Sequence, residues 1–143
     1  MAAAVVRIGE VGAGSVVKLL NNLMFGAINA VTAEALAICR AAGVDPEVFA
    51  RTVADSGAAT VSNLFRELAP KIVQGDHAPT FALALLEKDN RLALALARES
   101  GSPAFIATAV DQLNRLALFR GLGAEDTGAV HRLYAELAAQ ARA

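Results

Sequence analysis

The sequence predicts an all-α fold of about six helices packed around two long ones, the first and the fourth. Two observations carry that prediction. Of the 143 residues 55% are hydrophobic, much of that alanine and leucine, while aromatics make up only 5% and tryptophan is absent. Such a composition favours closely packed helices over sheets. The second observation is a series of helix start and stop signals, Asp45-Pro46-Glu47 and Gly43 among them, that divides the chain into helix-length pieces.

Taken in order, Ala4 to Ile8 is a candidate short strand ended by Gly9, and the first helix runs from about Ala13 to Ala42, stopped by Gly43. Asp45 is placed to cap a second helix, with Pro46 in its first position, that extends to about Asp55. Ser56-Gly57 breaks it, and Ala59 to Leu68 reads as a third helix ended near Pro70. After a looser stretch from Gln74 to Pro79, Thr80 can cap a fourth helix, Phe81 to Glu99, in which Phe81, Leu85, Lys88 and Leu92 share a face. Ser102-Pro103 repeats the cap-then-proline signal for a fifth helix ending at Arg120, Gly121-Leu-Gly123 turns the chain, and Asp126 caps a sixth.

The first helix carries the chemistry. At ~100° per residue, Ser15, Lys18, Asn22 and Asn29 fall in a sector roughly 60° wide on an otherwise apolar rod. A helix apolar nearly all round is expected to be buried, and its polar groups then need hydrogen-bond partners. Two readings fit. Lys18 extends its ammonium to solvent while the asparagines satisfy backbone carbonyls, or Lys18 and Asn22, one turn apart, grip a small polar substrate. A lysine partly desolvated by Val17, Leu19 and Leu20 would be a candidate general acid/base.

Charge and length narrow the classes. A net charge of -1, with no lysine- or arginine-rich run, leaves no footprint for nucleic acid. The longest uncharged run, Leu19 to Ala33, is shorter than the ~20 residues of a membrane span and reads as a buried helix. The start lacks a basic leader before an apolar stretch, so a cytoplasmic location is the default expectation. Cys39 sits among Ala37, Ile38 and Ala41 and is expected as a small buried hydrophobe. So much apolar residue in one domain implies that another chain or domain covers part of it.

Other motifs are weaker. Gly12-Ala-Gly14 after a candidate strand lacks the third glycine of a dinucleotide fingerprint, that position being Val17, and Glu34 lies inside a helix rather than at a strand end. The glycines are better explained as letting the backbone approach a ligand or partner. Lys88-Asp89 lies in a charged run from Glu87 to Arg91, which as an isolated signal reads as a solvated face. His77 and His131 have no ligand spacing around them, so no metal site is expected.

The run Val6-Arg-Ile-Gly9-Glu-Val-Gly12-Ala-Gly14-Ser-Val-Val-Lys18-Leu-Leu-Asn21-Asn22 resembles the junction and catalytic helix of the β-hydroxyacid dehydrogenases, the family of 3-hydroxyisobutyrate dehydrogenase and tartronate semialdehyde reductase. The likeness continues through Glu34-Ala-Leu, Ala42-Gly43-Val-Asp45, Ser56-Gly57, Phe81 to Asp89, Pro103 and Gly121-Leu-Gly123 with Asp126.

The resemblance implies a helical C-terminal domain, a bundle like that of 6-phosphogluconate dehydrogenase, over residues 9–143, with residues 1–8 as a strand remnant of a preceding Rossmann domain. It implies NAD or NADP as cofactor and a small hydroxyacid as substrate. Lys18 matches the catalytic acid/base, Asn22 the substrate-binding asparagine, Gly12 and Gly14 the turn at the active site, and Lys88 with Asp89 the cofactor side. Asn21 matches a neighbour common in the family. The long first helix would pack in a homodimer, with a Rossmann domain supplied in cis or in trans. A Rossmann domain and its glycine-rich substrate loop are not in this sequence, and Asn90 stands where the family usually has an apolar residue. Two other expectations remain open, a non-catalytic dimerisation module that keeps a vestigial site and an imine-reductase-like enzyme. The latter fits less well with a lysine at the catalytic position.

Overall fold

The computed structural model describes residues 8–56 and 62–140 and is all-helical, as the composition predicts. Its helices are α1 (Ala13–Ala41), α2 (Pro46–Asp55), α3 (Asn63–Gln74), α4 (Leu83–Glu99), α5 (Phe105–Phe119) and α6 (His131–Gln140). Two 3-10 turns, Leu122–Ala124 and Thr127–Val130, join α5 to α6. The expected strand falls almost wholly outside the described residues.

α1 is the shaft against which all the other helices pack. It ends as its sequence dictates: Gly43 takes a φ of 81°, and the Val44 and Gly43 amides return to the carbonyls of Cys39 and Arg40. Cys39 is buried, as expected. Asp45 accepts from the Glu47 amide at 2.9 Å and opens α2 on Pro46. The core lies where Ala33 and Leu36 of α1 meet Leu68 and Ala69 of α3, Leu83 and Leu86 of α4, Ala117 of α5 and Val130 and Leu133 near the C-terminus. Gly26 lets α5 approach closely, since a Cβ there would stand 3.3 Å from a Val110 methyl.

Several boundaries differ from the expectation, each for a physical reason. α3 continues through Pro70 to Gln74 instead of ending before it. Pro70 cannot donate to the Arg66 carbonyl, but both residues are exposed and water can serve that oxygen. The helix meanwhile gains the burial of Phe65, Leu68, Ala69 and Ile72 and a cap from Ser62 to the Phe65 amide at 3.0 Å. α4 starts at Leu83 with no side-chain cap, because Thr80 is turned to Asp126 and the Leu83 amide is held by the Glu125 carbonyl. α5 likewise begins at Phe105 without a cap from Ser102. Asp126 caps the 3-10 turn that leads into α6 rather than α6 itself.

The larger correction concerns α1. Only from Gly26 onward does it bury residues, while Val17, Leu20 and Met24 in its first half are exposed. By length and composition alone α1 would suffice to cross a membrane. Its buried polar residues Asn29 and Thr32 face other helices of this chain, as in the core helix of a folded domain.

Candidate active site

The start of α1 is shaped by Gly12, whose φ of 99° is left-handed and suits glycine. The first turn has neither a side-chain cap nor an acidic residue, and the Ala13 and Ser15 amides return to the carbonyls of Glu10 and Gly12. Among the described residues, a Cβ on Gly12 or Gly14 would meet nothing within 4 Å. Packing against those residues therefore does not require a glycine at position 14.

One and two turns further on, the polar stripe finds a single partner. α1 and α4 run antiparallel, Gly26 lying against Leu86 and Phe25 meeting Phe81 edge to face at 5.6 Å between centroids. That pairing brings Asp89 opposite Lys18 and Asn22. Asn22 Nδ2 donates to Asp89 Oδ2 at 2.6 Å, and Lys18 Nζ stands 3.8 Å from the same oxygen. Lys88 Nζ pairs with the other oxygen, Oδ1, at 2.8 Å. Burial alone would push the Asp89 carboxyl up, but the hydrogen bonds from Lys88 and Asn22 and the two ammonium charges outweigh it and hold it below the usual range.

Asp89 is buried while the ammonium-bearing side chains stay accessible, 66% exposed for Lys18 and 45% for Lys88. The desolvation expected of Lys18 is therefore not supplied by this chain, because the apolar neighbours Val17 and Leu20 themselves face outward. Lys88, on the outer face of α4, stands between exposed Leu85 and Leu92. An apolar surface with a cation on it fits one face of a nicotinamide and its carboxamide, so these residues suit the cofactor expected there.

The rest of the stripe is structural. Asn29 is fully buried and donates to the Thr127 carbonyl at 2.9 Å. Asn21 makes only a long contact, 3.5 Å, to the Asn22 side-chain oxygen. Asn90, at the position where an apolar residue was expected, is fully buried and donates to the Ala107 carbonyl of α5 at 3.0 Å, so it fastens two helices together.

Sequence reasoning missed two things. It put Asp89 beside Lys88 on the cofactor side, without the contact to Lys18 and Asn22. It also read Asp126 only as a cap, although its Oδ2 accepts from Lys71 at 2.9 Å, from the Thr80 amide at 2.9 Å and from the Thr80 hydroxyl at 2.8 Å. That carboxylate fixes the segment leading into α4, and burial notwithstanding, these donors hold its pKa at about 2. No local pattern marks either role, since every partner is distant in sequence.

The chain belongs to the family described as the NAD-binding domain of NADP-dependent 3-hydroxyisobutyrate dehydrogenase, whose pattern matches residues 12–134. Its cofactor is NAD or NADP. It is 36% identical to an L-threonate dehydrogenase of Cupriavidus necator over 94% of this chain and 45% of that protein. It is 33% identical to glyoxylate/succinic semialdehyde reductase 2 of Arabidopsis thaliana over 86% of this chain and 34% of the relative. A solved 3-hydroxyisobutyrate dehydrogenase from Salmonella typhimurium superposes with a TM-score of 0.86 at 32% identity, covering 92% of this chain and 46% of that one. The chain thus spans less than half the length of these relatives.

Proposed function

We propose that this chain is the catalytic helical part of an NAD(P)-dependent 3-hydroxyacid dehydrogenase, its site completed by a Rossmann domain in cis or in trans. The observation that carries the reading is the convergence of Lys18, Asn22 and Lys88 on the buried Asp89 carboxylate. Neutral Lys18 takes the proton of the substrate hydroxyl during oxidation, and as an ammonium it returns that proton to the carbonyl oxygen during reduction. The bound nicotinamide supplies the acceptor or donor for the hydride that leaves or joins the same carbon. Asn22 hydrogen-bonds the substrate through the part of its amide not engaged by Asp89. Asp89 holds the lysine and the amide in register. Gly12 and Gly14 leave room at the helix start for the substrate and the second body, and Lys88 lies over the cofactor. Arrival of that body would remove water from Lys18, which this chain alone leaves exposed.

Assay of 3-hydroxyisobutyrate and glycerate oxidation, with and without a supplied Rossmann half, tests the reading. NAD(P)-dependent turnover only in the mixture supports it, and no turnover with any partner overturns it.

A second reading rests on a separate observation. Val17, Met24, Val31 and Ile38 recur every seven residues along α1 and are 47%, 62%, 59% and 62% exposed, on the side away from Lys18 and Asn22. A seven-residue apolar repeat on a long helix suits another helix, so a homodimer through α1 is the partner it favours. A dimer in which Lys18 is never protected from chemical modification by substrate and cofactor would mark a dimerisation module with a vestigial site.

A further inference from the structure

At the far end of α1, about 33 Å from Lys18 at 1.5 Å per residue, a cleft between α1 and α6 has a composition that the dehydrogenase reading does not use. Arg40, His131 and Tyr134 line it among alanines, including Ala37 and Ala138, and enclose a cavity of about 210 Å³. His131 is only 8% exposed, and its Nδ1 lies 3.0 Å from the Ala33 carbonyl. A carbonyl can only accept, so Nδ1 carries the proton and Nε2 presents a bare lone pair. That nitrogen has no hydrogen-bond partner among the described residues, and neither do the Arg40 guanidinium and the Tyr134 hydroxyl.

Burial, then the charges of Arg40 on α1 and His77 before α4, hold the His131 imidazole below its usual range against the raising effect of the Ala33 bond, which keeps it neutral. Burial and the Glu34 carboxylate push the Tyr134 phenol up, so it stays a donor. The cleft therefore offers one acceptor from a deeply buried side chain and a cation with a hydroxyl donor beside it. The complement is a molecule with one hydroxyl and one carboxylate. At ~30 Å³ per water the cavity holds roughly seven waters, which limits the ligand to a few carbons.

We propose that this cleft binds a short hydroxycarboxylate, its carboxylate on Arg40 and Tyr134 and its hydroxyl donating to His131 Nε2. An ammonium in place of the hydroxyl would be repelled by Arg40, which selects hydroxyacids over amino acids. The site is independent of the Lys18 cluster and does not need a Rossmann domain.

The test is a titration of the 143-residue chain at neutral pH with sodium glycerate and sodium lactate, followed in NMR by the His131 imidazole resonances and by the Tyr134 ring resonances, which line the same cleft and report on the variant that lacks the imidazole. Acetate, which lacks the hydroxyl, and glycerol, which lacks the carboxylate, are the controls. Saturable shifts with millimolar affinity are expected, weakened about tenfold by Arg40→Gln and by His131→Asn, the latter keeping a donor for Ala33 while deleting Nε2. Lys18→Ala should leave the shifts unchanged. Should His131→Asn fail to fold, the exposed Arg40→Gln carries the comparison through the same resonances. Absence of shifts up to ~50 mM ligand, equal binding of acetate, full binding by Arg40→Gln, or loss of binding in Lys18→Ala would each overturn the proposal.

Discussion

Asn22 donates its side-chain amide to the buried carboxylate of Asp89 at 2.6 Å, tying α1 to α4 across 67 residues of sequence. The bond is charge-assisted, and Lys18 and Lys88 face the same carboxylate. Asp89→Asn removes the charge but keeps one acceptor. It should cost about 1–2 kcal/mol in urea unfolding, the lower part of the range because both lysines are largely solvated. In the assembled enzyme it should lower kcat more than it raises KM, since the lysine loses its anchor while the substrate contacts survive. A KM effect alone would remove Asp89 from the catalytic arrangement.

With Lys18 as the proposed acid/base, one substitution separates catalysis from folding. The lysine side chain is two-thirds exposed, so Lys18→Ala should change stability by no more than about 0.5 kcal/mol. Turnover of the assembled enzyme should fall by about two to four orders of magnitude. Lys18→Arg should fare no better, because a guanidinium stays protonated and cannot accept the substrate's proton. Steady-state rates beside chemical denaturation check both halves.

The contrast between α2 and α3 shows how much the sequence tells. Asp45-Pro46-Glu47 is a local signal satisfied locally, so α2 begins and ends where the pattern predicts. Pro70 is also a local signal, but the burial of Phe65, Leu68, Ala69 and Ile72 against distant helices overrides it. The site divides in the same way. Lys18 and Asn22 are legible because an i, i+4 spacing fixes their common face. Asp89 as their partner is not, because it depends on the antiparallel register of α1 and α4. Thr80 and Asp126 both read as caps, but Thr80 donates to Asp126 instead, while Asp126 keeps a capping role at the 3-10 turn through its other oxygen.

Two buried groups should divide the acid unfolding into two limbs. His131 is held below its ordinary 6.5 in the fold, so the unfolded chain binds the extra proton and stability declines as pH drops below about 6.5. Asp126 is lowered from 3.8 to about 2, so its contribution is complete above pH 4 to 5 and is lost as pH falls from about 4 toward 2. That lowering corresponds to about 2 kcal/mol at neutral pH. Urea melts across pH should show both limbs, His131→Asn removing the upper one and Asp126→Asn shrinking the lower, to which the lowered Asp89 carboxyl also contributes.

The exposed heptad on α1 predicts a position-specific effect on assembly. Val31→Glu places a charge midway along the seam at a residue already 59% exposed, so the monomer's fold should be untouched. Sedimentation should then shift from dimer to monomer while far-UV circular dichroism is preserved. Thr108→Glu, at an exposed α5 position outside the seam, should leave the oligomer unchanged. A Val31→Glu chain that still sediments as the wild type does would show that α1 does not form the contact.

Gly14 gives the sharpest separation between what this chain needs and what its complete site needs. It lies inside the first turn of α1, with no left-handed φ to require glycine. A Cβ there would meet nothing within 4 Å among the described residues. In the isolated chain Gly14→Ala should therefore be neutral or stabilising by up to about 1 kcal/mol, since alanine loses less backbone entropy on entering a helix. If the open space at the helix start receives the substrate and the Rossmann half, the same methyl intrudes on them. Affinity for the supplied half should weaken and KM should rise, even though the melting temperature does not fall. Gly12→Ala cannot make this distinction, because its φ of 99° strains any side chain regardless of what lies outside. A Gly14→Ala chain that assembles and turns over normally would place the partner's approach elsewhere, leaving glycine at this position without a role in the site.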